Sequence, residues 1–328
     1  MPNRRSLLGA LALAAGAAGP MRAVAQDPAW PSRPITLIVP FGAGGGTDIL
    51  ARLLAQHMGT ALGQAMPVDN RAGATGTIGM ATLARARPDG YTIAIAPNGT
   101  YAMATALYDR LPYDVERAFA PIGLLATTPI LVCVHPGAAW RTLGDLIAAA
   151  KAAPGSLTYA SAGAGSTSHI FVELLLETTG AQMLHVPYRS AAQTAQAVMQ
   201  REAAMAMVDA SVALPFVRSG ELRALAITSA QRSSQTPDVP TVAESGFPGY
   251  RASVDFGLFA PAGTPQPILD RLAAEARAAL RRPDMAPRLE SLAMEPVLAG
   301  TPAEFAASQA AETRQWADFI RRRGIRLE

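Results

Sequence analysis

Short apolar runs and longer amphipathic stretches take turns along the chain. Strand-like runs at 35–39, 91–96, 130–134 and 158–160 are each followed by a stretch whose apolar positions recur at helical spacing, over 47–62, 100–108, 143–152 and 166–179. A pattern that switches in this way between periods of two and 3.6 predicts a mainly parallel sheet covered by helices. After a further strand at 254–260 the pattern stays helical to the end, with its longest amphipathic stretches at 265–280 and 302–323. No internal repeat or low-complexity linker interrupts it, and a length of about 300 residues behind the N-terminal segment suits two domains of ordinary size.

The N-terminal segment has a different pattern. Arg4 and Arg5 precede an apolar run at 7–18, and the small residues Ala23-Val24-Ala25 follow. That order predicts a signal peptide over 1–25, cut after Ala25. The apolar run falls short of the roughly 20 residues a membrane-spanning helix needs, so the expected mature chain is soluble and exported to the periplasm. Asn3-Arg4-Arg5-Ser6-Leu7-Leu8 also resembles a twin-arginine signal, which leaves the export route open between the two pathways.

Removing the leader changes the charge. The chain has 28 basic and 25 acidic residues, and Arg4, Arg5 and Arg22 lie in the leader with no acid beside them, leaving 25 against 25. A near-neutral balance argues against a nucleic-acid partner, which needs a basic face to neutralise phosphates. The one local basic cluster, Arg321-Arg322-Arg323, reads as a solvated helix end, where cations favour the dipole. Cys133 is the only cysteine, so no intramolecular disulfide is available, and its apolar run predicts a buried strand residue rather than a nucleophile.

Candidate chemistry concentrates in two loops, each lying between a strand and a helix. The first is Pro40-Phe41-Gly42-Ala43-Gly44-Gly45-Gly46-Thr47-Asp48; the second is Ser161-Ala162-Gly163-Ala164-Gly165-Ser166-Thr167-Ser168-His169. Ligands of open α/β sheets collect at such carboxyl ends of strands. Glycines there let backbone N–H groups approach an anion, and the dipole of the following helix favours negative charge. The same composition also suits tight turns capped by Thr47 or Asp48 and by Ser166 or Thr167. The first loop lacks the final glycine or alanine and the downstream acid of a dinucleotide fingerprint, and it lacks the Gly-Lys-Ser/Thr ending of a nucleotide phosphate loop. The only lysine, Lys151, is elsewhere. No Gly-x-Ser-x-Gly elbow or oriented Ser-His-acid set is evident, and His57, His135, His169 and His185 stand singly without metal-ligand spacing. No catalytic residue, metal or cofactor is therefore assigned.

At this point the residues carry a resemblance. Trp30-Pro31-Ser32-Arg33-Pro34-Ile35, the first glycine loop, Asn70-Arg71-Ala72-Gly73, Pro88-Asp89-Gly90-Tyr91, Leu111-Pro112-Tyr113-Asp114, Tyr159-Ala160-Ser161, His185-Val186-Pro187-Tyr188, the 238–246 stretch from Asp238 to Gly246 and Pro261-Ala262-Gly263-Thr264-Pro265 occur in a shared order and spacing. Nearly end to end, the chain resembles the solute receptors of the tripartite tricarboxylate transporter family, also called Bug receptors. The resemblance implies an α/β, two-lobed periplasmic binding protein fold of type II-like form, with a cleft between lobes joined by two crossover strands. It divides the chain into lobe 1 over 26–128 and 251–328 and lobe 2 over 129–250.

It also implies a ligand, a small carboxylate (mono- or dicarboxylate, or an amino acid), held by backbone amides, hydroxyls and water rather than by an arginine clamp. A tripartite tricarboxylate-type membrane permease is the implied partner, and the receptor is expected to work as a monomer. The positions that carry over as ligand contacts are Phe41, Ala43, Gly44, Gly45, Thr47 and Asp48 on the first lobe, and Ser161, Gly165, Ser166, Thr167 and His169 on the second. Asp48 is expected to hold its loop or a bound water, because like charges repel. Asn98 and Thr100 are expected to line the same cleft. Asp209 carries over from a segment about one residue shorter than the family pattern, and Asp255 stands where the family has tryptophan, which either puts a carboxylate near the ligand or leaves it facing solvent or capping a neighbouring turn. Two other classes stay open on sequence alone: a twin-arginine-exported, cofactor-dependent enzyme, and a sensory receptor for a membrane kinase.

Overall fold

The computed structural model describes residues 30–327, so the leader expected over 1–25 lies outside the described residues. In chain order the elements are β1 (Thr36–Val39), α1 (Gly46–Leu62), β2 (Val68–Asn70), α2 (Thr77–Ala84), β3 (Thr92–Pro97), a π-helical turn (Gly99–Met103) running into α3 (Ala104–Leu107), β4 (Phe119–Thr128), β5 (Ile130–Val134), α4 (Leu143–Ala152), β6 (Thr158–Ser161) and α5 (Thr167–Thr179). They continue with β7 (Leu184–Pro187), α6 (Ala191–Met199), β8 (Met205–Asp209), α7 (Ala210–Arg218), β9 (Arg223–Ile227), β10 (Val254–Pro261), α8 (Gln266–Leu280), α9 (Ala286–Ser291), β11 (Glu295–Pro296) and α10 (Pro302–Arg323).

These strands form two sheets, each with its own helices, giving a two-lobed α/β fold. The first sheet has the order β11-β4-β10-β3-β1-β2 and the second β7-β6-β8-β5-β9. Both are mixed, which corrects the expectation of mainly parallel sheets. β1 pairs in parallel with β2 and β3, but β10 enters between β3 and β4 antiparallel to both. Likewise β6 is parallel to β7 and β8, whereas β5 is antiparallel to β8 and β9. The antiparallel strands are the ones next to the crossings: β4 leads into β5 through Pro129 alone, and β10 follows the return segment. A strand that arrives from the other lobe is free of the right-handed crossover that keeps β-α-β neighbours parallel.

Local sequence explains the elements. In α1, Leu50, Leu54, Met58 and Leu62 repeat at helical spacing and are buried; Gly63 then takes a left-handed φ of 66° to end the helix. Thr142 and Asp145 form a reciprocal capping box at the start of α4, as Thr301 and Glu304 do at α10. Cys133 is fully buried in β5, and burial pushes its thiol up to about 12.

Helix α10 joins the two halves. Trp316 stacks on Phe171 of α5 with centroids 5.3 Å apart, and two residues of the arginine triplet form ion pairs with the same helix, Arg322 with Glu177 and Arg323 with Glu173. Beyond it, the Leu327 N–H donates to the Leu107 carbonyl at 2.8 Å. No helix among the described residues is long and apolar enough to cross a membrane.

Candidate functional site

The first glycine loop joins β1 to α1. Gly44 takes φ +84°, a left-handed conformation that favours glycine, and Gly45 occupies the N-cap position of α1 without any side-chain cap. This differs from the expectation that Thr47 or Asp48 caps the helix. Asp48 instead folds back: its Oδ2 accepts the Gly44 N–H and the Arg52 Nε–H, each at 2.9 Å, and its Oδ1 accepts Asn70 Nδ2 at 2.9 Å. Asn70 Nδ2 also donates to the Phe41 carbonyl at 3.0 Å. The Arg52 guanidinium, then these further donors, hold the buried Asp48 carboxyl down at about 2. The first-turn N–H groups of α1 are thereby left open for a negative charge.

The second loop joins β6 to α5 and is built from neutral groups. Ser166 is the N-cap; its Oγ accepts the His169 N–H at 3.3 Å and donates to the Gly163 carbonyl at 2.7 Å. Ser168 Oγ accepts the Ala162 N–H at 3.0 Å, and His169 Nδ1 accepts the Gly165 N–H at 3.0 Å. Two histidines that stand apart in sequence are neighbours here. The His169 and His185 rings stack in near-parallel planes 4.0 Å apart, Tyr159 stacks on His185 at 4.9 Å, and Ser161 Oγ lies 2.6 Å from His185 Nε2. Burial, reinforced by His185, pushes the His169 pKa down to about 4, so the ring is neutral at physiological pH, as its acceptor role requires.

The two loops face each other across a cleft of about 440 Å³. Of the residues expected there, Phe41, Thr47, Thr100, Gly165, Ser166, Thr167 and Asp209 line it. The opposing walls approach closely: a Cβ added at Gly99 would lie 3.1 Å from Thr167 Cγ2. Ala43, Gly44 and Gly45 are exposed in the first loop outside the lining, while Asp48, Ser161 and His169 are buried behind the loops and shape them.

Two expectations are corrected. Asn98 is buried with its Nδ2 committed to the Ser253 carbonyl at 2.9 Å and to Glu312 Oε1 at 2.8 Å, so it does not line the cleft. Asp255 does not line it either. Successive residues of a strand face opposite ways, and in β10 Val254 and Phe256 take the cleft side, leaving Asp255 in a separate pocket with Arg251, Ser253, Glu312 and Trp316. There burial, then the nearby Glu312 carboxylate, pushes Asp255 up to about 6.

The sequence reading missed Thr75, Thr128, Arg189, Ser211 and Met294 of the lining. Arg189 follows β7 and so occupies a third strand-to-helix loop, a signal present in the sequence beside Tyr188 but lacking glycine. The cleft thus contains an arginine, although the family pattern implied recognition without one.

Two α/β lobes joined by crossing strands, with helix N-termini facing one another over a small polar cleft, define the class of two-lobed binding proteins. The chain belongs to the tripartite tricarboxylate transporter receptor family: the model of that family, described as "Tripartite tricarboxylate transporter family receptor", matches residues 50–325. Protein BugT of Bordetella pertussis (strain Tohama I) is 34% identical over 327 residues, covering 99% of this chain and 100% of that one. Among solved structures, R. palustris Rpa4515 with adipate superposes with a TM-score of 0.81 at 33% identity, covering 91% of this chain and 100% of that one. MatC (Rpa3494) from Rhodopseudomonas palustris with bound malate gives 0.76 at 32% identity, covering 88% and 99%.

Proposed function

We propose that this chain is a periplasmic solute-binding receptor that captures a small carboxylate by lobe closure and delivers it to a tripartite membrane permease. The observation that carries the reading is the pair of glycine-rich loops on opposite walls of one cleft, the first ending in a helix whose N-terminal N–H groups have no side-chain cap. Uncapped N–H groups at the positive end of a helix dipole are an anion site. A volume of about 440 Å³ suits a ligand of a few carbons and excludes large cofactors. The adipate and malate of the two structural relatives are of that size and chemistry.

In this reading, 1–25 is the export leader, 26–128 with 251–328 forms lobe 1, and 129–250 forms lobe 2. The hinge then falls at Pro129 and ahead of β10, and the receptor acts as a monomer without a cofactor. Closure binds only the folded state, so a matching ligand at a hundredfold excess over its Kd adds about 2.7 kcal/mol of stability. Thermal melting and calorimetry of ligand-stripped protein with mono-, di- and tricarboxylates test this. A rise in melting temperature with a saturable heat is expected; no response to any of them overturns the reading.

A further inference from the structure

The chain leaves α10 at Gly324, whose φ of 64° ends the helix in a left-handed turn, and the Ile325 N–H returns to the Ile320 carbonyl at 3.1 Å. Residues 325–327 then touch both halves of the molecule. The Leu327 N–H donates to the Leu107 carbonyl at 2.8 Å and Leu327 pairs in parallel with Tyr108, so the backbone of this segment is fixed to the half built on the first sheet. Its side chain meets the other half. A Cβ added at Gly165, in the second loop, would lie 2.7 Å from Leu327 Cδ1, 3.0 Å from Cγ and 3.2 Å from Cδ2, so the leucine occupies the space over that glycine.

Both attachments lead into the cleft. Gly165 lines it, and its N–H is held by His169 Nδ1 at 3.0 Å. On the other side the Tyr108 hydroxyl shares a hydrogen bond of 2.9 Å with Thr75 Oγ1, and Thr75 lines the cleft too. The Thr75 carbonyl in turn accepts the hydroxyl of Thr100, a third lining residue, at 2.9 Å. Just before the turn, Arg323 forms an ion pair with Glu173 of α5, which also accepts the Tyr159 hydroxyl of β6. Lobes joined by crossing strands move relative to one another unless something else couples them. A segment bonded by its backbone to one half and packed by its side chain on the other is such a coupling.

We propose that residues 325–327 are a strap that sets how far the cleft opens, and that Leu327 is a positioning residue, lying outside the cleft lining and acting by seating the Gly165 turn against the first half. The two attachments are separable. Shortening the side chain removes the pad on Gly165 and leaves the backbone contacts to Leu107 and Tyr108 in place. The halves then swing more widely and the second loop loses its backing. The strap follows from the two-lobed fold and not from the chemistry of a ligand. Only its consequence, a lower apparent affinity as the capture-ready form becomes rarer, rests on the receptor reading above.

Spin labels at Gln56→Cys in α1 and Gln196→Cys in α6, both exposed, report the separation of the halves, since Cys133 is fully buried and stays unlabelled. In ligand-stripped protein, pulsed dipolar spectroscopy should show the Leu327→Ala distance distribution broadened and shifted by at least about 2 Å from the parent. Leu327→Met, close in volume, should match the parent. Hydrogen exchange supplies the local readout: amides of 162–169 should exchange at least about tenfold faster in Leu327→Ala while those of β5 and β8 keep the parent rate. A leucine that merely stabilised the fold would speed exchange in β5 and β8 as well. Overlapping distance distributions for the parent and Leu327→Ala, or faster exchange spread equally over 162–169 and the second sheet, overturn the proposal. Should Leu327→Ala fold poorly, Leu327→Val, one methylene shorter, is read in the same two ways. A carboxylate screen without a hit bears on the receptor reading and leaves both measurements decisive here.

Discussion

The two glycine-rich loops that face each other across the cleft are held in place by different chemistry. The first is pinned by charge: one buried carboxylate, Asp48, gathers Gly44, Arg52 and Asn70 and leaves the helix behind it uncapped. The second is pinned by neutral groups, with Ser161, Ser166, Ser168 and a stack of two imidazoles holding backbone N–H and carbonyl groups in place. A charged pin tolerates acid until its depressed pKa is reached, whereas an imidazole acceptor fails once it is protonated. The loops should therefore come apart at different pH values and respond differently to substitution.

The largest effect is expected from Gly165→Val in the second loop. Gly165 has φ +71°, and an added Cβ would lie 2.7 Å from Leu327 Cδ1. Backbone strain and overpacking together should cost about 2–5 kcal/mol, read as a fall in the denaturation midpoint, and abolish binding. Gly45→Ala in the first loop is the contrasting case: φ is −79° and the nearest atom to an added Cβ is the Gly42 carbonyl oxygen at 3.9 Å. It should cost no more than about 1 kcal/mol while weakening ligand binding. Equal stability losses at the two positions would refute the contrast.

Next in size is Asp48→Ala. It removes three hydrogen bonds to a buried carboxylate, and about 2–3 kcal/mol of stability should be lost in denaturant titration. Asn70 then loses a partner too, so the Phe41 carbonyl contact should loosen and ligand affinity fall with stability.

The pH comparison follows. His169 has a folded pKa of about 4, below the ordinary histidine value of 6.5. Between those values the unfolded chain binds a proton that the folded chain refuses, so stability is full above pH 6.5 and is lost as pH falls toward 4. Asp48 is also depressed, to about 2, and its contribution survives until pH drops below the ordinary carboxylate range. Asp255 and Asp209, raised to about 6, act with the opposite sign over the same window. The histidine's share is therefore read by difference: from pH 7 to pH 4 the melting temperature of His169→Gln should fall less, or rise more, than that of the parent. An unchanged slope in the variant would remove His169 from the account. The smallest effect is expected at the lobe-bridging pair Arg322–Glu177, whose side chains are 60% and 36% exposed. Arg322→Ala should change stability by no more than about 1 kcal/mol.

The sequence made much of this legible because local signals coincide with long-range needs. Residues 143–152 and 302–323 read as helices and are helices, since threonine caps and apolar spacing agree. β4 escaped notice because Pro121 and Gly123 break its apolar run; in the sheet it accommodates them by shifting register against β10. α7 escaped for a similar reason, carrying Pro215 within the helix. At the site, the glycine loops announced themselves by composition. Asp255 did not reveal its orientation because the family position names a residue, not a face, and only the pairing of β10 with β3 and β4 fixes which side faces the cleft. The His169–His185 stack was invisible because nothing local relates residues sixteen apart across a helix.

The placement of β10 between β3 and β4 also sets an order of assembly. Every strand of the second sheet comes from the continuous segment 130–227, so that sheet can pair as soon as its own stretch of chain is available. The first sheet cannot: its β4 and β3 are held apart until a strand from residues 254–261 arrives to bridge them. Contacts of such sequence separation form slowly, because loop-closure entropy must be met before pairing rewards it. On a ribosome or in a translocation channel, the internal half would gain protection first and the half that begins the chain would finish last. Pulsed hydrogen exchange during refolding should accordingly protect β5 and β8 before β3.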